Sequence, residues 1–279
     1  MNKTAFFLAC LVLAHPAAGA YAQNFAGAPK KEIVIEEPSP ELKTGEMLEY
    51  SMEWLGLNVG EVVLKVAGIE KIDGHPCYHI NALARPNNFL RRIVDLEYEV
   101  DSYVDTELFV SRRFIKKRRL KGQASFNQID FYPEKNKVDY KTKGGTVSYK
   151  VSPKRAQVAE DNPDTDKIPD DTQDLLSSLY YLRQVELQAG QEYEVNIYYH
   201  HKNWVSTFSV EKPFVKEMRK KGRFEVFRVF PSSGLNDFIM GENKFSIYFT
   251  ADPRRIPIEF RFKTAVGSIS ARLQKILLQ

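Results

Sequence analysis

From Glu46 onward the chain alternates apolar and polar residues with a period of two. Leu48, Tyr50, Met52 and Trp54 interleave with Glu49, Ser51 and Glu53, and Val62, Leu64 and Val66 interleave with Glu61 and Lys65. That period sends one set of side chains into a core and the other into water, the pattern of a half-buried β-strand. It returns at Tyr78, Ile80, Ala82 and Ala84, at Val94, Leu96, Tyr98 and Val100, at Tyr193, Val195, Ile197 and Tyr199, and at Ile256, Ile258, Phe260 and Phe262. Gly56-Leu57-Asn58-Val59-Gly60 and Asp73-Gly74 supply the left-handed backbone of turns or bulges. About a dozen strands joined by short turns predict a mainly β fold, a large curved antiparallel sheet of barrel-like or half-barrel form.

One stretch changes period. After the acidic segment from Asp164 to Asp171, which holds Pro169, the residues Leu175, Leu176, Leu179, Tyr180 and Leu182 fall at helical spacing. The spacing predicts a helix at about 172–187, ending before Gly190, with Asp171 or Thr172 as its cap and Asp174 in its first turn. A lone amphipathic helix among strands needs an apolar surface. It is expected on the concave side of the sheet, burying Leu175, Leu179 and Leu182 with Leu176 and Tyr180 beside them.

The N-terminus sets the address. Lys3, an apolar run from Ala5 to Ala14 and the small-residue site Ala20-Tyr21-Ala22 read as a secretory leader over 1–22, cleaved before Gln23. The run is too short to span a bilayer, and no later stretch is long enough for a second anchor, so an exported chain without a transmembrane segment is expected. Cys10 lies inside the leader's apolar run, which fits it poorly as a lipid-bearing cysteine. Its removal leaves Cys77 alone, without a partner for an intramolecular disulfide. Residues 23–45, with Pro29, Pro38 and Pro40, read as a proline-rich tether in which Ile33, Val34 and Ile35 form a candidate docking strand. Residues 46–279 follow as a single large β domain. A formal net charge of only +4 argues against nucleic acid as a partner.

Three motifs, taken in order, carry a resemblance. They are Gly45-Glu46-Met47-Leu48-Glu49-Tyr50 leading to Trp54 and Gly60; Asp171-Thr172-Gln173-Asp174-Leu175-Leu176-Ser177 leading to Tyr180-Tyr181-Leu182-Arg183; and Asp252-Pro253-Arg254-Arg255-Ile256-Pro257 followed by Val266-Gly267-Ser268-Ile269. With them the chain resembles the exported bacterial family called domain of unknown function 3108, over nearly all of its length after the leader. The resemblance implies an exported β-rich fold and brings no catalytic residues with it.

Candidate chemistry is sparse. His75, Cys77 and His79 would leave one face of a strand, but Pro76 interrupts it, strand neighbours stand about 6 to 7 Å apart and no fourth ligand is near, so no metal is expected. His200 and His201 would point to opposite faces of a regular strand and read as surface or edge residues. No Gly-x-Ser-x-Gly elbow or phosphate loop is present, and Asp170, Asp171 and Asp174 are sufficiently explained by helix capping. A hydrolase is therefore the weakest reading, and no cofactor is expected.

The basic run Arg112–Arg119 faces Asp95, Glu97, Glu99 and Asp101 if the two segments form a hairpin centred near Glu107. That register would set Asp101 opposite Arg113, Glu97 opposite Lys117 and Asp95 opposite Arg119. A second basic cluster, Lys216, Arg219, Lys220, Lys221 and Arg223, has no such evident partner and is the better anion candidate. The aromatic residues Tyr50, Trp54, Tyr180 and Trp204 are candidates to line a ligand cavity under the helix, with Lys216, Arg219, Lys220 and Lys221 beside them as ligand contacts. The function expected is non-enzymatic binding of an amphipathic or apolar envelope component, a lipid, acyl chain or glycolipid. The address is exported, and periplasmic in a cell with two membranes. The alternative is an adaptor docking an envelope protein through strand edges and the tether.

Overall fold

In the computed structural model, residues 42–93, 95–120, 122–143, 168–218, 221–232, 245–264 and 266–278 are described. The expected leader (1–22), most of the tether (23–45), Val94, Arg219 and Lys220 lie outside them. The described residues form fourteen strands: β1 (Met47–Trp54), β2 (Leu57–Ile72), β3 (His75–Pro86), β4 (Leu96–Asp105), β5 (Ser111–Leu120), β6 (Gln123–Tyr132), β7 (Lys137–Lys143), β8 (Glu192–Tyr199), β9 (Lys202–Val210), β10 (Phe214–Met218), β11 (Gly222–Pro231), β12 (Phe245–Thr250), β13 (Pro257–Lys263) and β14 (Ser268–Leu277). A four-residue helix, α1 (Asn88–Arg91), follows β3, and the main helix, α2 (Leu175–Gln184), precedes β8.

The strands form one antiparallel sheet in the order β7-β6-β5-β4-β3-β2-β1-β14-β13-β12-β11-β9-β8, with β10 hydrogen-bonded to β11. The sheet is curved but not closed. Its free ends, β7 and β8, are not paired among the described residues, yet their side chains meet: Tyr140 on β7 lies 4.3 Å from the His201 ring, and Phe131 on β6 packs edge-on against Tyr198 at 5.9 Å. The expected half-barrel is thus present, with its helix on the concave side.

Alternation produced these strands and turn chemistry joined them. Asp73 and Gly74 take φ of 49° and 93° in the two-residue β2–β3 turn. The β1–β2 turn sits one residue earlier than the glycine pattern suggests, on Leu55 and Gly56, and a bulge falls between Met52 and Glu53. Gly60 serves close approach: a Cβ there would stand 2.5 Å from the Arg85 carbonyl oxygen and 2.6 Å from the Met52 methyl carbon.

The acidic and basic strands β4 and β5 form the expected hairpin, shifted by two residues. Glu97 faces Arg119 and Glu99 faces Lys117, while Asp101 faces Ile115 and Arg113 faces Tyr103. The cause is the turn. Asp105 accepts hydrogen bonds from the Glu107 and Leu108 backbone N–H groups at 2.9 and 3.1 Å, and a bulge at Tyr103/Val104 absorbs a residue. A two-residue slip preserves which side faces the core, so charge pairing survives: Lys117 Nζ reaches Asp101 at 3.0 Å and Arg119 reaches Glu97 at 3.3 Å.

Helix α2 begins three residues later than predicted, at Leu175, because Asp174 itself is the cap. Thr172 and Gln173 are extended instead. Gln173 N–H donates to the Asn196 carbonyl at 2.7 Å, Tyr198 N–H donates to Gln173 O at 2.9 Å, and Ser111 N–H donates to Thr172 O at 3.1 Å, so this strap ties β8 to the start of β5. The buried face is also rotated from the expected stripe. Leu176, Tyr180 and Leu182 are buried, whereas Leu175 and Leu179 are only half-buried. The helix joins two cores: Leu176 and Tyr180 enter one with Leu48, Ile80 and Ile258, and Leu182 enters another with Val195, Val229 and Phe249.

Candidate functional site

Between those two cores lies an apolar cavity of about 270 Å3. One wall comes from the first half of the sheet, with Val62, Leu64, Val100, Phe114 and Ile129. The opposite wall comes from the second, with Ile197, Phe208, Ile247, Phe260 and Phe262, and Leu175, Leu179 and Leu182 of α2 form its roof. Strands from both halves of the sheet line one space because the sheet curls. The half-burial of Leu175 and Leu179 has the same origin, since their side chains border this space.

Helix α2 closes the end of the half-barrel where β1 starts and β4 meets β5. Two buried polar clusters hold it there. Asp174 Oδ1 accepts from the Leu176 and Ser177 N–H groups at 2.7 and 2.8 Å, its Oδ2 accepts from Ser102 Oγ at 2.6 Å and Ser111 Oγ at 2.9 Å, and Ser177 completes a capping box. Burial pushes the Asp174 carboxyl up, and these hydrogen bonds oppose that rise. At the other end of the helix Arg183 grips Glu46 with two hydrogen bonds of 2.7 and 2.9 Å, its guanidinium 5.1 Å from the Tyr180 ring centre. These are supports for the roof, and neither cluster lines the cavity.

At the opposite end the chain leaves apolar groups in water. Leu57, Phe89 and Ile93 are 69%, 70% and 62% exposed, around the β1–β2 turn and α1. The Asn87 side chain ties these turns together by donating to the Asn58 carbonyl at 2.6 Å, and Trp54 Nε1 donates to the Val266 carbonyl at 2.9 Å across to the β13–β14 turn. Across the same end, the β8–β9 turn carries His200 and His201, both with positive φ and both bordering the cavity. The expectation that they point to opposite faces of a strand is corrected here: the strand stops at Tyr199, and a two-residue turn brings both rings to the border. Desolvation, the Lys116 charge and His201 hold His200 down at about 4, although part of its ring stays open to solvent. Burial raises the Tyr199 phenol.

The residues singled out from the sequence fall elsewhere. Tyr50 is fully buried and donates to the Pro257 carbonyl at 2.7 Å, Tyr180 is buried beside Arg183, Trp54 braces the turns, and Trp204 donates to the Tyr199 carbonyl at 3.1 Å; none of the four lines the cavity. Lys216 is ion-paired with Glu259 at 3.0 Å and lies over the Tyr248 ring, and Lys221 donates to the Gln274 carbonyl. Two members of the second basic cluster, Lys216 and Lys221, therefore do have partners. Cys77 is a buried free thiol pushed up to about 11, chiefly by burial, and His79 is bound through both ring nitrogens to Glu70 and Asp101 at 2.8 Å. Among the described residues no three His, Cys, Asp or Glu side chains group as metal ligands.

Among the lining residues that sequence reading missed are Phe114, Lys116, Asn127 and the helical Ser178. Their signal was parity: Phe114 and Lys116 share the inward face of a strand whose many charges drew attention to its outward face.

The sheet order and the Asp171–Arg183 segment at the roof coincide with the span over which one family matches. The protein-of-unknown-function family DUF3108 covers residues 49–274. The chain belongs to the DUF3108 family. No curated protein is similar to it. Among solved structures it is similar to a β-barrel-like protein of domain of unknown function DUF1849 from Brucella abortus, at 13% identity and a TM-score of 0.48, over 84% of this chain and 97% of that one. It is also similar to a protein of YmcC-like fold from Bacteroides fragilis, at 9% identity and a TM-score of 0.29, over 86% of this chain and 99% of that one. For this DUF3108 member the architecture is read from its own strand pairing. No helix among the described residues is long and apolar enough to cross a membrane.

Proposed function

We propose that this DUF3108 protein is an exported, non-enzymatic carrier of an amphipathic or apolar envelope component: a lipid, an acyl chain or a glycolipid. The cavity is the observation that carries the reading. An apolar space of about 270 Å3 leaves many lining side chains without packing partners on one side. Water gains little in a space with so few polar partners, whereas an apolar chain restores the lost contacts. The exposed apolar turns at the open end support the same reading, since such a patch suits contact with a membrane or a partner. Export rests on the leader sequence.

Native mass spectrometry of protein released from the envelope without detergent tests this. An acyl-bearing molecule should travel with a chain that begins at Gln23, and added acyl ligand should raise the melting temperature of stripped protein. A bare mass together with an unmoved melting temperature would overturn the carrier.

A second reading, an adaptor docking an envelope protein, is favoured by Leu57, Phe89 and Ile93 at the open end. A photo-reactive residue in place of Ile93 separates the two in living cells. Crosslinking to lipid supports the carrier, and crosslinking to one defined protein supports the adaptor.

A further inference from the structure

The cavity is bordered by one charge that no described carboxylate neutralises. Lys116 sits on β5 with its side chain half-buried on the inward face, between Phe114 below and Arg118 toward the open end. It borders the cavity together with Asn127, His200 and His201. Among the described residues no Asp or Glu lines that space, and Lys116 makes no ion pair or hydrogen bond with any of them. Its neighbour in sequence behaves differently: Lys117, on the outer face, is held by Asp101 at 3.0 Å and Glu99 at 3.6 Å. The contrast is informative because a strand alternates faces. The fold supplies two carboxylates to the lysine that water would solvate anyway, and none to the lysine it turns toward an apolar interior.

A desolvated ammonium is unfavourable unless something pairs with it. Burial and the Arg118 charge lower the Lys116 pKa, and no carboxylate counters them. The two histidines of the β8–β9 turn border the same end of the space, and the low pKa of His200 keeps that ring from adding a second full charge there. The arrangement is an apolar trough ending in one cation that no described carboxylate pairs, beside the His200–His201 turn.

From this geometry we infer that the ligand of the cavity is an acyl chain ending in an anionic group, a carboxylate or a phosphate, with that group paired to Lys116 beside the His200–His201 turn. This rests on the carrier reading above and narrows it. An uncharged glyceride or ester fills the same trough and leaves Lys116 unsatisfied.

Calorimetric titration of the stripped full chain tests it, with oleate and oleoyl lysophosphatidate as anionic probes and methyl oleate as the uncharged one. Oleate, the lysophosphatidate or both should bind at least about tenfold more tightly than the ester, as expected of a charge-assisted contact in a poorly solvated site. Which of the two binds more tightly tells carboxylate from phosphate. Lys116→Met should bring the anions to within a few-fold of the ester while leaving ester affinity unchanged, and Lys116→Arg should keep most of the preference. Ester binding unchanged in Lys116→Met also certifies that the variant is folded. Equal binding of ester and anions by the wild type would overturn the anionic assignment and leave the carrier standing, whatever the variants do. Binding of neither would overturn both.

Discussion

The two ends of the half-barrel are made from the same alternating strands and finished in opposite ways. At the closed end the helix is held by buried polar pairs that join residues far apart in sequence, as in Glu46 with Arg183 and Asp174 with Ser102 and Ser111. At the open end the turns carry Leu57, Phe89 and Ile93 in water, and the histidines of the β8–β9 turn border the cavity. A buried polar network fixes one arrangement, because any displacement leaves a desolvated group unpaired. Exposed apolar turns contribute little to stability and are free to meet something else. The difference teaches that this fold concentrates its rigidity where the roof is anchored and leaves its recognition surface at the other end.

The largest effect that could break this comparison lies in the Glu46–Arg183 pair. Arg183→Ala should destabilise the protein by about 3 to 5 kcal/mol, since it strands a buried carboxylate. Replacing both partners, Glu46→Leu with Arg183→Met, should cost clearly less than the single change. Denaturant melts of the three variants decide it; equal losses for single and double variants would mean that the pair is not the anchor.

The roof itself gives the next test. Leu182 is 1% exposed and Leu179 is half-buried against the cavity, so Leu182→Ala should cost about 2 to 5 kcal/mol and Leu179→Ala about 1. With oleate present the gap should narrow, because Leu179 offers surface to a ligand and then loses that contact too, whereas Leu182, 1% exposed, has little surface left to offer. A gap that ligand does not change would place the acyl chain elsewhere.

A smaller, pH-dependent contribution comes from the outer face of β3 and β4. Burial works against the Asp101 charge, but hydrogen bonds from His79, Asn81 and Lys117 outweigh it and hold this carboxyl down at about 2. Its stabilisation is therefore present above the unfolded value near 3.8 and is lost as pH falls from there through about 2. The hydrogen bond to Asp101 raises His79, against burial, so the contribution of its protonated form is present below 6.5 and is lost as pH rises through the raised folded value. Compared with Asp101→Asn, the wild type should gain about 2 kcal/mol, greatest between about pH 4 and 6.5 and shrinking on both sides. Chemical denaturation across pH 2 to 9 reads this out, and a difference independent of pH would refute it.

The smallest stability effect belongs to the open end. Phe89→Ser and Ile93→Ser should each change stability by no more than about 0.5 kcal/mol. If the turns meet the membrane, the same changes should slow transfer of a fluorescent fatty acid from vesicles to protein. Unchanged transfer with unchanged stability would remove the open end from the account.

Much of this molecule was legible in the residues. Period-two alternation and turn chemistry are local, so they specified the strands, the Asp73-Gly74 turn and the sign pattern that pairs β4 with β5. The β4–β5 register was less so, because a bulge and the Asp105 cap shift a hairpin by an amount that charge alternation alone tolerates. The helix was visible from its spacing, but its start was not: Asp174 becomes the cap only because Ser102 and Ser111, far away in sequence, also bind it. The aromatic candidates Tyr50, Trp54, Tyr180 and Trp204 were chosen for size, and they fill cores or brace turns, since ring size says nothing about which side of a packed layer a ring occupies.

Sequence alone determined which face of each strand is apolar, because that depends only on the order of neighbouring residues. Tertiary structure alone decided where those faces fail to meet. A cavity is a mismatch between the volume a curved sheet encloses and the side chains that point into it, and that volume depends on long-range pairing, curl and the seating of α2. The same holds for Lys116. Its inward parity is written in β5, but that no described carboxylate faces it depends on every other strand that lines the same space.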